Sequence, residues 1–326
     1  MDSREDLNKT SSVKAPEAGP GNNPDKKNQQ PKRKKSARPD TAAKSGKKSG
    51  SGKSGKSGKS KKKKSSKLTD FLLSVILFVA IGVFAFAAFN LYHIYTEYKK
   101  GSDEYNAIAE MAVTERKPDQ DAAEDTGDKG DNIQPPMSID FNALKAVNDD
   151  VIGWIYIEAF EGINYPVVRG LDNSYYLHRT YQRNYNFAGT IFTDAQNHDD
   201  FNDCNTIVYG HNMKNGSMFG LLRRFSSDPS VYEKSKYFWI FTPTEDYRYE
   251  IIAAYTTGVS SDTYTLFKGP GKEFTEWMRK QVEHSEITTT PGDLSVSDKI
   301  VTLSTCTGNE STRYVVQGKR VNTIKK

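Results

Sequence analysis

Two short stretches carry side chains from which chemistry could be built. Thr302-Leu303-Ser304-Thr305-Cys306 is followed seven residues on by Arg313, and nearly a hundred residues upstream lies Tyr209-Gly210-His211-Asn212-Met213. Cysteine offers a nucleophile, histidine a proton carrier and arginine a fixed cation, the three groups that acyl transfer through a covalent intermediate requires. Cys306 closes an apolar stretch and opens the polar loop Thr307-Gly308-Asn309-Glu310-Ser311-Thr312. A strand end is a rigid mount beside a mobile rim, which suits a nucleophile. If the stretch that begins at Arg313 pairs back through this loop, Cys306 and Arg313 stand side by side. The guanidinium could then stabilise a thiolate or an oxyanion. Arg320 is the nearest competitor, but period-2 alternation turns it to the opposite face.

His211 follows the strand-like Thr206–Tyr209 and the turn residue Gly210, a placement that His93, His178, His198 and His284 lack. It could act as acid, base or imidazolium partner of a thiolate. Cys306 also has an inert reading, since a free cysteine is commonly buried. The only other cysteine is Cys204, and in an exported protein the two could form a disulfide. No Cys-x-x-Cys, His-x-x-x-His or His-Glu-x-x-His spacing occurs, Asp199, Asp200 and Asp203 lack the spacing of a calcium loop, and no phosphate-binding glycine loop is present. No metal or cofactor is therefore expected.

The elements that must hold these residues are mostly strands. Val151–Ile157, Ile163–Val168, Gly189–Phe192, Thr206–Tyr209, Tyr237–Thr242, Tyr247–Thr256, Lys299–Thr305 and Arg313–Val321 are rich in β-branched and aromatic residues and are separated by Asn, Asp, Gly and Pro. A short helical pattern precedes them at Phe141–Val147. Another interrupts them at 273–284, where Phe274, Trp277, Met278, Gln281 and Val282 fall on one face. The expected fold class is mainly β, a closed or nearly closed barrel of about eight strands.

Outside this domain the composition changes. The chain has 326 residues and a net charge of +5, but residues 1–70 hold 21 basic and 7 acidic side chains while the remainder holds 25 and 34. A basic tail on an acidic body points to two environments rather than to a nucleic-acid-binding protein. Residues 1–69 are expected to be disordered and cytoplasmic. Phe71–Leu91 has no charged residue, and about 20 apolar residues suffice for a membrane helix, placed at 70–91. Ala85-Phe86-Ala87 resembles a signal cleavage site, but the long n-region argues for an uncleaved anchor. The Lys-rich flank, ending in Lys61-Lys62-Lys63-Lys64, is expected to stay inside, which makes a single-pass type II protein of the cell membrane. Residues 92–137 then form an extracellular stalk, with a helix about Tyr98–Glu115 and a spacer ending in Pro135-Pro136, and 138–326 the extracellular catalytic domain.

The stretch Thr302–Cys306 with Arg313 is similar to the active-site signature of sortases, the membrane-anchored cysteine transpeptidases of Gram-positive bacteria. Tyr209–Met213, continuing through Gly216-Ser217-Met218-Phe219, and the helix at 273–284 resemble class B sortases in particular. The resemblance spans about residues 140–323. It implies that Cys306 attacks the threonine carbonyl of a C-terminal sorting motif, of the Asn-Pro-x-Thr-Asn/Gly type or a variant, in a secreted protein. It implies that His211 protonates the departing amine and deprotonates the incoming one, and that Arg313 holds the substrate backbone or the oxyanion. Asn173, Leu177, Tyr264 and Ser304 would line the substrate groove. The thioacyl group would pass to an amine of a peptidoglycan cross-bridge or its lipid-linked precursor. Other readings are a pilin-polymerising sortase, a cysteine hydrolase, and a non-catalytic wall-associated module with a Cys204–Cys306 disulfide. The short Cys-to-Arg loop and the long basic tail depart from the family pattern.

Overall fold

The computed structural model describes residues 11–12, 67–116 and 133–326. Most of the expected basic tail and all but the end of the expected spacer lie outside the described residues. In chain order the elements are β1 Ser11–Ser12, α1 Lys67–Ala112, β2 Val113–Glu115, β3 Met137–Ile139, α2 Phe141–Val147, β4 Val151–Ile157, β5 Phe160–Val168, β6 Ile191–Thr193, β7 Asn205–Tyr209, α3 Arg224–Ser227, α4 Pro229–Lys234, β8 Tyr237–Phe241, β9 Glu245–Gly258, β10 Thr265–Leu266, α5 Lys272–Glu283, β11 Ile300–Cys306 and β12 Thr312–Lys325. Tyr175–His178 and Asp262–Tyr264 are 3-10 turns.

α1 is long and apolar enough to cross a membrane, with a window of mean hydropathy 2.8 that is wholly exposed. The helix does not stop at the end of the apolar run. Gly101, Tyr105, Ile108 and Ala112 are buried, and their spacing of three and four residues defines one stripe. β2 then pairs antiparallel with β3. The helix expected in the stalk about Tyr98–Glu115 is therefore packed on the domain, because its apolar stripe has a core to join. Asp140 caps α2 by accepting from the amides of Asn142 and Ala143.

Eight strands close into a barrel in the order β11-β12-β9-β8-β4-β5-β6-β7. Two joins are parallel, β5 with β6 and β7 with β11. The main hydrophobic core holds large rings, among them Trp154, Trp239, Phe192, Tyr249 and Tyr314, each nearly or fully buried. β9 and β12 are longer than their sequence pattern suggests, and their pairing shifts register between Gln317 and Gly318. A Cβ on Gly318 would lie 2.3 Å from the Phe238 ring, so only glycine fits this irregularity. The α3–α4 pair is not expected from sequence, although Asp228, accepting from the Ser230 amide ahead of Pro229 in the first turn, is a helix-start signal. α5 lays Phe274, Trp277 and Met278 over Ile252, Ile300 and Cys204 in a second, smaller core.

Candidate active site

The parallel register of β7 and β11 brings the two stretches of interest to one place. Ser304 faces Tyr209, and the Gly210 amide donates to the Ser304 carbonyl at 3.1 Å. Both strands run out in the same direction, so His211 and Cys306, each two residues further on, emerge at the same barrel end. β11 also pairs antiparallel with β12, and there Cys306 faces Arg313. A pocket of about 350 Å3 at this end is lined by Leu177, Phe192, Tyr209, Gly210, His211, Ser304, Thr305, Cys306 and Arg313.

Gly210 is required by close approach, since a Cβ there would lie 2.5 Å from Ile191 Cδ1 and 2.6 Å from the Phe219 ring. The loop after it folds back on itself: the Phe219 amide donates to the His211 carbonyl at 3.0 Å. Asn212 Nδ2 donates to the Cys306 carbonyl at 2.8 Å, which ties the histidine loop to the end of β11. His211 Nε2 lies 2.7 Å from the Leu177 carbonyl. A carbonyl can only accept, so Nε2 carries the proton and Nδ1 is the atom left to exchange one. Burial pulls the His211 pKa below the ordinary imidazole value, the Leu177 hydrogen bond opposes this, and the charges of His178 and Arg313 push it down further. The His178 ring is stacked on His211, with centroids 5.8 Å apart.

Arg313 is only 4% exposed. Its Nη1 donates to the carbonyls of Glu310 and Thr312, both at 2.9 Å, so the loop from Cys306 holds the guanidinium in place. Ser304 is buried and lines the pocket, and its hydroxyl is 2.8 Å from that of Tyr264. Tyr264 has 0% exposure and is not among the pocket-lining residues; its hydroxyl contact with Ser304 sets it behind the lining. Burial pushes its phenol up to about 12. Asn173 is likewise absent from the lining: its Nδ2 donates to Asp194 Oδ2 at 2.8 Å and its Oδ1 accepts from the Ala195 amide at 2.8 Å. The same Asp194 oxygen accepts from the Tyr209 hydroxyl at 2.9 Å, and burial with this carboxylate holds the tyrosine well above the usual phenol range.

Leu177 lines the pocket and contributes its backbone carbonyl as well. Leu177, Asn212 and His178 have roles around His211 that residue type did not announce, because each depends on a partner distant in sequence. Cys204 and Cys306 are both free. The Cys204 carbonyl accepts from Ile300 at the start of β11, and Cys306 ends that strand. At about 3.3 Å per residue the two are roughly 20 Å apart, far beyond a disulfide's Cα separation of about 4.4–6.8 Å. Among the described residues no three His, Cys, Asp or Glu side chains are grouped to hold a metal ion.

A family model for the sortase domain matches residues 155–321. Sortase B of Listeria monocytogenes is 37% identical over 196 residues, covering 58% of this chain and 77% of that protein. Sortase B of Staphylococcus aureus is 32% identical over 184 residues, covering 54% and 72%. Among solved structures, sortase B from Bacillus anthracis in complex with AAEK1 superimposes with a TM-score of 0.57 at 29% identity, covering 71% of this chain and 100% of that one. A Staphylococcus aureus sortase B–substrate complex gives 0.51 at 30% identity, covering 56% and 84%. The chain belongs to the sortase family, and within it to class B, the cysteine transpeptidases.

Proposed function

We propose that Cys306, His211 and Arg313 carry out the transpeptidation, and that the substrate is a secreted protein with a C-terminal sorting motif of the Asn-Pro-x-Thr-Asn/Gly type or a variant. The observation that carries this reading is the single pocket lined by all three side chains. The Cys306 thiol passes its proton to His211 Nδ1 as Sγ attacks the threonine carbonyl; an S–C bond forms, and Arg313 stabilises the oxyanion. The C–N bond then breaks and the His211 imidazolium gives its Nδ1 proton to the departing amine. In the second half an amine of a peptidoglycan cross-bridge, or of its lipid-linked precursor, attacks the thioester, loses a proton to His211 and expels the thiolate. Pilin polymerisation and hydrolysis share the first half and differ in the group that resolves the thioester.

The apolar part of α1 and the adjoining Lys61–Lys64 run support a single-pass anchor with the basic tail in the cytoplasm and the barrel outside. Ser304, Leu177 and, behind them, Tyr264 and Asn173 shape the groove.

The test is intact-mass measurement of the full chain in detergent after incubation with a panel of sorting peptides. An adduct on Cys306 equal to the peptide up to its threonine is expected, and Cys306→Ala should abolish it while the fold persists. An adduct retained by Cys306→Ala would overturn the reading. Added amines of each class then identify the acceptor.

A further inference from the structure

Residues 97–112 of α1 pack on the loop between the 3-10 turn Tyr175–His178 and β6. Tyr98 meets Phe187 edge to face at 4.8 Å, Asn186 Nδ2 donates to the Glu97 carbonyl at 3.1 Å, and the Gln182 amide donates to the Glu104 carboxylate at 2.9 Å. At the centre is Tyr105, which is buried. Its hydroxyl donates to the Gly189 carbonyl at 2.6 Å and lies 3.1 Å from Thr190 Oγ1, whose own hydroxyl donates to the Arg179 carbonyl at 2.7 Å. Burial pushes the Tyr105 phenol far above its ordinary range, so it remains a protonated donor.

Gly189 in turn lies against the 3-10 turn. Its φ is +59°, and a Cβ there would be 2.5 Å from the Leu177 carbonyl oxygen and 2.7 Å from that of Tyr176. That Leu177 oxygen is the one that accepts from His211 Nε2 at 2.7 Å. A second, parallel contact leads the same way. The Tyr105 ring meets Tyr165 edge to face at 5.4 Å, and the Tyr165 hydroxyl accepts from the Met218 amide at 3.2 Å, in the loop that His211 begins.

We infer that Tyr105 is a positioning residue for the transpeptidation: it holds Gly189 against Leu177, so that the Leu177 carbonyl keeps the His211 ring in one tautomer and one orientation. The inference rests on the reading of His211 as the proton carrier. It extends the working unit well upstream of residue 155, where the family match begins.

The test uses the full chain in detergent with a reactive sorting peptide and an amine acceptor, active sites being counted by alkylation of Cys306. Tyr105→Phe removes one hydrogen bond and keeps the ring. It is expected to lower kcat per counted site roughly 3- to 10-fold with KM within about twofold. The limb of the pH–rate profile set by His211 should move to lower pH, the charges that face it, His178 and Arg313, being unchanged. Gly189→Ala forces the Leu177 carbonyl to shift and is expected to cost more. The double variant should be no worse than Gly189→Ala alone, because both act through the same contact. An unchanged kcat and pH profile in Tyr105→Phe overturns the inference. So do losses that multiply fully in the double variant, or fewer counted sites with an unchanged rate per site. If the unaltered chain transfers no acyl group, or His211→Ala keeps its rate, the functional reading fails and the inference falls with it.

Discussion

A histidine that donates from Nε2 to a backbone carbonyl is fixed in tautomer before any substrate arrives. His211 is in that state, and its burial makes the charged form costly. This has a consequence for stability as well as for chemistry. The unfolded chain binds a proton at the ordinary histidine value near 6.5, whereas the folded chain binds it only at lower pH. Above 6.5 neither state is protonated and His211 contributes no pH dependence. As the pH falls through 6.5 towards the folded midpoint, stability is lost, and below that midpoint the loss is complete. Urea unfolding followed by tryptophan fluorescence at pH 7.5 and pH 5 should therefore show a larger decline for the unaltered chain than for His211→Gln. His198, whose pKa is raised by Asp203, is common to both proteins and cancels in the comparison. Equal declines would contradict the buried, neutral imidazole. The residues of this site that could be read from sequence are those whose chemistry resides in the side chain: Cys306, His211 and Arg313. The Leu177 carbonyl, the Asn212 amide and the Tyr105 hydroxyl act on partners 34, 94 and 84 residues away. Nothing in their local sequence announces those partners.

At the scale of elements, strand position was legible because alternation and β-branching are local properties, while strand length was not. β12 continues to Lys325 because β9 offers it a partner along its whole length, a tertiary fact. The same holds for α1 beyond the apolar run, whose stripe of Tyr105, Ile108 and Ala112 is visible in sequence but whose docking is not. The joint between β7 and the histidine loop is tightly packed. Gly210→Ala would drive a methyl group into Ile191 and Phe219. Overpacking of this kind costs about 1–3 kcal/mol. The variant should show a lowered urea midpoint together with slower acylation of Cys306, since the strand that aims His211 must shift. A variant with native stability and native acylation would show that the loop relaxes without moving the histidine.

For the whole molecule, the barrel separates the two cysteines by the length of β11. Burial raises the Cys204 thiol, and its neighbours are the apolar residues under α5. Under non-reducing conditions the unfolded chain should titrate as two free thiols, and in the native chain Cys306 should be alkylated much faster than Cys204. A count of zero would restore the disulfide-linked wall module.

The parallel join of β7 to β11 also sets a timetable. His211 is synthesised nearly a hundred residues before Cys306, and Arg313 later still. Until β11 has slotted between β7 and β12, the thiol has neither the histidine loop tied to its carbonyl nor the arginine opposite it. Contacts between such distant segments form late and slowly. A chain still being made thus carries His211 without the thiol and the guanidinium that share its pocket, and the site is complete only when the last strands arrive.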